Sequence, residues 1–83
     1  MHDRPEIEYP TRWTYQVIGE GEEVLFLHLD AVFATREHEK RVTRKSAAGK
    51  YTSIEVVLVV ESEEERLGFS RAILGHSAVR VVI

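Results

Sequence analysis

In Tyr51-Thr52-Ser53-Ile54-Glu55-Val56-Val57-Leu58-Val59-Val60-Glu61, apolar Ile54, Val56, Leu58 and Val60 alternate with Tyr51, Ser53, Glu55, Val57 and Val59. That period of two predicts a strand, and its wholly apolar face must look at a core. Ser62 follows as a good N-cap, and Glu65 three residues on completes a capping box. The helix this opens is expected to run to about Leu74, with Leu67, Phe69, Ile73 and Leu74 on its buried side. Gly75 stands where a left-handed C-cap belongs. Ala78-Val79-Arg80-Val81-Val82-Ile83 then reads as a closing strand.

The first half of the chain repeats that order. Trp13, Tyr15 and Val17 alternate with Arg12, Thr14 and Gln16, which predicts a strand over 11–18 with one buried face. Gly19-Glu20-Gly21 permits a tight turn. From Glu22 to about Arg36, Val24, Leu25, Leu29, Val32 and Phe33 follow helical spacing, and Phe26, Leu27 and Ala31 widen the stripe. Glu22 and Glu23 suit the positive end of the helix dipole. The polar stretch 39–46 holds a β-forming run at Arg41-Val42-Thr43-Arg44, and Ser46-Ala47-Ala48-Gly49-Lys50 makes a turn.

The order β-α-β-β-α-β, with right-handed crossovers, predicts an α+β fold: a ferredoxin-like sandwich of two helices on one face of a four-stranded antiparallel sheet, strand order 4-1-3-2. The two most apolar strands, the first and third, become central. The second becomes an edge whose Lys40, Arg41, Arg44 and Lys45 discourage edge-to-edge pairing, while the fourth is an edge carrying Arg80 alone. Residues 1–10, with Pro5, Pro10 and few apolar side chains, read as a flexible arm ahead of a single domain at 11–83.

Composition excludes several classes. The chain has 83 residues, room for one small domain. Eleven Lys+Arg against fourteen Asp+Glu give a net charge of −3, whereas a general nucleic-acid binder relies on phosphate neutralisation and is usually basic. With no cysteine there is no thiolate nucleophile and no Cys-ligated metal. The longest apolar run, Val56 to Val60, is far too short to cross a bilayer. The polar first ten residues are no signal peptide, so a cytoplasmic location is expected. Histidines 2, 28, 38 and 76 show no metal spacing, and no serine sits in a G-x-S-x-G elbow. Gly49-Lys50 lacks the strand-before, helix-after context of a P-loop. No enzyme, metal site or cofactor is expected.

What remains is surface. If the helices cover Val17, Ile54, Val56, Leu58, Val60, Val79, Val81 and Ile83, the open sheet face shows Gln16, Ile18, Glu55, Val57, Val59, Arg80 and Val82. Arg80, Gln16 and Glu55 are expected on neighbouring strands, with Ile18, Val57, Val59 and Val82 as an apolar patch of the kind that marks a partner site. Scattered exposed aliphatics are a reading of equal weight, and the patch together with the bare edge of the fourth strand points to self-association. Segment 40–50 carries five cations and no acid, which suits RNA or, more simply, a protected edge. Free N–H groups around Gly19, Glu20 and Gly21 suit a small anion or, again more simply, a turn.

Tyr9-Pro10-Thr11-Arg12-Trp13-Thr14-Tyr15-Gln16-Val17-Ile18-Gly19 is similar to the opening F-P-x-x-F-x-x-K-V-M-G of the YbeD-like bacterial proteins. Gly49-Lys50-Tyr51-Thr52-Ser53 resembles their G-x-Y-x-S, and Val79-Arg80-Val81-Val82-Ile83 their V-R-M-V-L ending. The resemblance runs from Tyr9 to Ile83. It implies a fold akin to the ACT regulatory domain and no activity, because the family's function is unknown. ACT domains bind small ligands, often amino acids, near the first strand–helix loop, which by analogy points to Gly19, Glu20 and Gly21. The leading expectation is a non-enzymatic regulatory or protein-interaction module, acting on a partner or a second copy of itself through the open face or an edge strand. An ACT-type amino-acid sensor is the alternative, and RNA binding the third.

Overall fold

The structure, a computed structural model, describes residues 6–83. Its elements are β1 (Thr11–Gly19), α1 (Glu22–Phe33), β2 (Glu39–Lys45), β3 (Thr52–Val60), α2 (Glu63–Leu74) and β4 (Val79–Val82). They form one antiparallel sheet in the order β2-β3-β1-β4, the arrangement the sequence predicts. Tyr15 and Val17 of β1, Ile54, Val56, Leu58 and Val60 of β3 and Val79 of β4 meet Leu25, Leu29 and Phe33 of α1 and Ile73 of α2 in a single core. Both helices therefore cover the same sheet face. Of the expected arm, residues 1–5 lie outside the described residues. Tyr9 packs against the core, and its hydroxyl accepts from Arg66 Nε at 3.0 Å.

Where the structure departs from the pattern, the causes are local. Ser62 Oγ accepts from the Glu65 N–H at 3.1 Å as expected, but the Glu65 carboxylate reaches one residue further back, to the Glu61 N–H at 2.9 Å. Gly75 has φ −71°, not a left-handed value. Its N–H closes a turn on the Ala72 carbonyl, and a further turn from His76 to Val79 redirects the chain, so no reversal is needed. α1 ends at Phe33 instead of running to Arg36, because Arg36 folds back to bond the Phe33 carbonyl through its N–H.

Helix burial is narrower than the apolar stripes suggest. Leu25, Leu29 and Phe33 are fully buried, while Val24 and Leu27 are exposed. On α2, Leu67 and Leu74 are 41% and 50% exposed. Arg66 takes the inward position that Leu67 was expected to share. Its guanidinium stacks 4.6 Å from the Trp13 ring centroid, and its backbone carbonyl accepts from the Tyr15 hydroxyl at 2.7 Å. Burial pushes the Tyr15 phenol up to about 12.

β4 holds the most consequential difference. Gly19 pairs with Val79, but Ile18 pairs with Val81, so Arg80 is an extra residue in a β-bulge. A one-residue insertion flips every later side chain to the other face. Val82 thus lies opposite Val17 and packs against the core, not on the open face. Val81 and Ile83, expected beneath the helices, turn outward and are 41% and 75% exposed. The bulge forms where the Ala78 carbonyl reaches past Gly19 to accept from the Glu20 N–H at 2.9 Å.

Candidate functional site

The strand register lays out the uncovered face row by row. Gln16 lies between Glu55 of β3 and Ile83, with which it exchanges both backbone hydrogen bonds. Ile18 lies between Ser53 and Val81, Thr14 opposite Val57, and Arg12 opposite Val59. On β2, Glu39 faces Val57, Arg41 faces Glu55 and Arg44 faces Ser53. Of the residues singled out in the sequence, Gln16, Ile18, Glu55, Val57 and Val59 share this face. Val82 does not, and Arg80 leaves the row at the bulge to bond Glu20 at 2.5 Å. The cation beside Glu55 is instead Arg41, at 2.7 Å.

The apolar side chains form two islands and no single patch. Ile18, Val81 and Ile83 cluster at the β4 edge, Val57 and Val59 lie at the far end of β3, and Gln16, Glu55 and Thr14 separate them. Beside the second island the α1–β2 connection curls around the end of the sheet and encloses a cleft of about 320 Å³. It is lined by Val57, Leu58, Val59 and Glu61 at the end of β3, by Arg36, Glu37 and His38 of the connection, by Glu39 of β2 and by Arg12 of β1. Arg12 and Glu39 face each other there at 3.6 Å.

The cleft wall is held by Arg36. It donates to Glu65 Oε2 at 2.5 Å and to the Val59 carbonyl at 2.7 Å, with its guanidinium 5.6 Å from the Phe69 centroid. β2 begins at Glu39, opposite Val57, so β3 overhangs its neighbour; Arg36 and Glu65 satisfy the Val59 carbonyl and the Glu61 N–H that the overhang exposes. His38 donates from Nδ1 to the Arg36 carbonyl at 2.7 Å and accepts at Nε2 from Lys40, which also pairs with Asp30. No periodicity or motif marks Arg36, and its role was not legible in the sequence.

The Arg36 guanidinium, then the Glu61 N–H, hold the Glu65 carboxyl below its ordinary 4.5. A carboxyl depressed in the folded state contributes stability above its unfolded pKa and loses it as pH falls through the folded value. Glu65→Gln keeps an acceptor for Glu61 and removes only the charge. It should cost roughly 0.5–1 kcal/mol at pH 7, the group being partly solvated. That deficit should shrink as pH falls below about 4.5 and through the lowered folded value, so that it is smaller at pH 3 than at pH 7. Urea melts at pH 7 and pH 3 check this; a deficit equal at both would refute it.

The other candidates are closed or compensated. A Cβ on Gly19 would meet the Ala78 carbonyl at 2.3 Å and Leu25 Cδ2 at 2.8 Å. Glu20 is clamped by Arg80, whose hydrogen bond draws its carboxyl below the ordinary range, and Gly21 has φ +88°. Three cations of segment 40–50 are matched by acids from elsewhere: Lys40 by Asp30, Arg41 by Glu55 and Lys45 by Glu22. Among the described residues no group of three or more His, Asp or Glu is placed to hold a metal, and no helix is long and apolar enough to cross a membrane.

Over residues 4–83 the chain matches the family described as "Protein of unknown function (DUF493)". It belongs to that family. A relative, the uncharacterized protein Cj0253 of Campylobacter jejuni, is 35% identical over 67 residues, covering 81% of this chain and 77% of that one. The solution structure of HP0495 from Helicobacter pylori superimposes with a TM-score of 0.84 at 25% identity, over 98% of this chain and 89% of that one. The ACT domain from GTP pyrophosphokinase of Chlorobium tepidum superimposes with a TM-score of 0.65 at 11% identity, over 87% of this chain and 94% of that one. The last shares the fold alone. The chain thus has an ACT-like fold and belongs to a family without assigned function.

Proposed function

We propose that the protein is a non-enzymatic interaction module that seats an apolar side chain of a partner protein in the cleft at the β3 end of the open face. The carrying observation is the cleft itself, in which Val57 and Val59 lie among charged side chains of both signs, Arg12 and Glu39 facing each other at 3.6 Å. An apolar centre with a mixed polar rim is the anatomy of a protein-binding patch. Arg36 and His38 are engaged in structural bonds, Arg36 on Glu65 and His38 on Arg36 and Lys40, which leaves those two ill suited to proton transfer. Gly19, Glu20 and Gly21 support a ligand-sensing role less well, since Gly19 is walled in and Glu20 is engaged.

A photo-crosslinking residue at Val59 should yield a discrete adduct with a partner in the producing cells. The same residue at Leu27, 69% exposed on the opposite side, should not. Adding Val57→Glu should abolish the Val59 adduct while the thermal melt stays cooperative. Adducts that form equally from both positions, or survive Val57→Glu, would overturn the proposal. So would a melting temperature that rises with one of the twenty amino acids in a variant-insensitive way, which would favour the sensor.

A further inference from the structure

We infer that a second copy of the chain pairs antiparallel with β4 across a two-fold axis near Val81, extending the sheet to eight strands and bringing α2 of each copy alongside the other. This concerns the edge of the sheet opposite to β2 and stands or falls apart from the cleft.

The backbone supplies the first observation. Gln16 and Ile83 exchange both hydrogen bonds, so Val82, opposite Val17, belongs to a non-bonded pair whose N–H and C=O point away from β1. The β4 edge is a strand template, and proteins usually protect such edges. β2 is protected, by Lys40, Arg41, Arg44 and Lys45. β4 is not.

Charge supplies the second. A two-fold contact sets a surface against itself, so an edge rich in one sign repels its copy. The β2 edge would bring two runs of four cations together, although Lys40, Arg41 and Lys45 are paired with acids of the same chain. β4 has one charge, Arg80, neutralised within the same chain by Glu20 at 2.5 Å.

The third is what flanks the edge on both sides of the sheet. Below β4 lie Val81 and Ile83, turned outward by the bulge. Above it, α2 meets α1 through Phe69, which contacts Phe33, and through the Ala72 and Ile73 carbonyls, which face His28. At 100° per residue, Leu67, Ser70 and Leu74 fall on the flank away from α1, over the β4 edge, and both leucines are exposed. The loop 75–78 closes α2 and β4 at a common level. Val81 lies about 7 Å along β4 from Val79, and about four to five residues back along α2 from Leu74 span the same distance, which reaches Ser70. An axis through Val81 therefore passes near Ser70 and sets Leu67 of one copy against Leu74 of the other.

The chain has no cysteine, so one introduced thiol reports cleanly. The wild-type chain should sediment as a dimer, and Ser70→Cys should form a symmetric disulfide under mild oxidation while Arg44→Cys, on the β2 edge, does not. Leu74→Glu and Val81→Glu, both exposed positions, should weaken association about tenfold or more with circular dichroism unchanged. Val57→Glu should leave the dimer intact. A monomer at all concentrations, or a dimer linked by Arg44→Cys and not by Ser70→Cys, would overturn the inference. A monomer that still crosslinks through Val59 would overturn it alone.

Discussion

Gly19→Ala is expected to cost about 3 kcal/mol, the upper end for overpacking a core. For a domain of this size that lowers the melting temperature by roughly 12–24 °C. The obstacle is backbone: the added Cβ would stand 2.3 Å from the Ala78 carbonyl oxygen, which cannot withdraw without losing its bond from the Glu20 N–H. Leu25 Cδ2, 2.8 Å away, lies in the fully buried core and has nowhere to go. Gly68 is the control. Nothing lies within 4 Å of its Cβ position on α2, so Gly68→Ala should add roughly 0.5–1 kcal/mol through helix propensity alone. Thermal and urea melts of the two variants test the pair, and a Gly19→Ala melt within about 2 °C of wild type would refute the first. A glycine held this tightly serves the junction of β1 with β4.

Elements and their order were legible because period and punctuation agree at each step. Ile54 to Val60 alternate without a break, Ser62 and Glu65 mark the start of α2, and Gly19 and Gly21 bracket the turn into α1. Alternation failed at Arg80, and only there with consequence. A bulge leaves no trace in a run such as Val79 to Ile83, because each residue in it suits either face. It is set from outside the run, by the Ala78 carbonyl reaching Glu20. That one inserted residue moved Val82 inward and turned Val81 and Ile83 outward, to join Ile18 at the β4 edge.

The cleft was illegible for another reason. Its parts come from β1, the α1–β2 connection and β3, and they meet only through the fold. Arg36 reads as the tail of a helical stripe, and its bonds to Val59 and Glu65 span 23 and 29 residues of chain. The exposed Leu67 and Leu74 were misplaced because helical spacing shows which residues share a side, not which side the sheet receives. Arg66 decided it, by carrying a charge inward onto Trp13.

Phe33→Ala should cost about 3–5 kcal/mol, a large share of the total stability of a domain this small. Phe33 is fully buried, and its ring centroid lies 4.8 Å from Phe69, 5.2 Å from His38 and 6.1 Å from Tyr15. Leu27→Ala, on the same helix but 69% exposed, should change stability by less than about 0.5 kcal/mol. The contrast separates apolar character from burial, which the stripe on α1 alone does not. Phe33 also ties the core to the cleft, since His38 rests on its ring and donates to the Arg36 carbonyl. Phe33→Leu, at roughly 1–2 kcal/mol, should leave the fold standing while loosening that support. Amide exchange at Arg36 to Glu39 should then quicken more than at β4, and the Val59 adduct should weaken without any change at the cleft surface. Uniform quickening across the sheet would show that Phe33 serves global stability alone, and that the cleft wall stands without it.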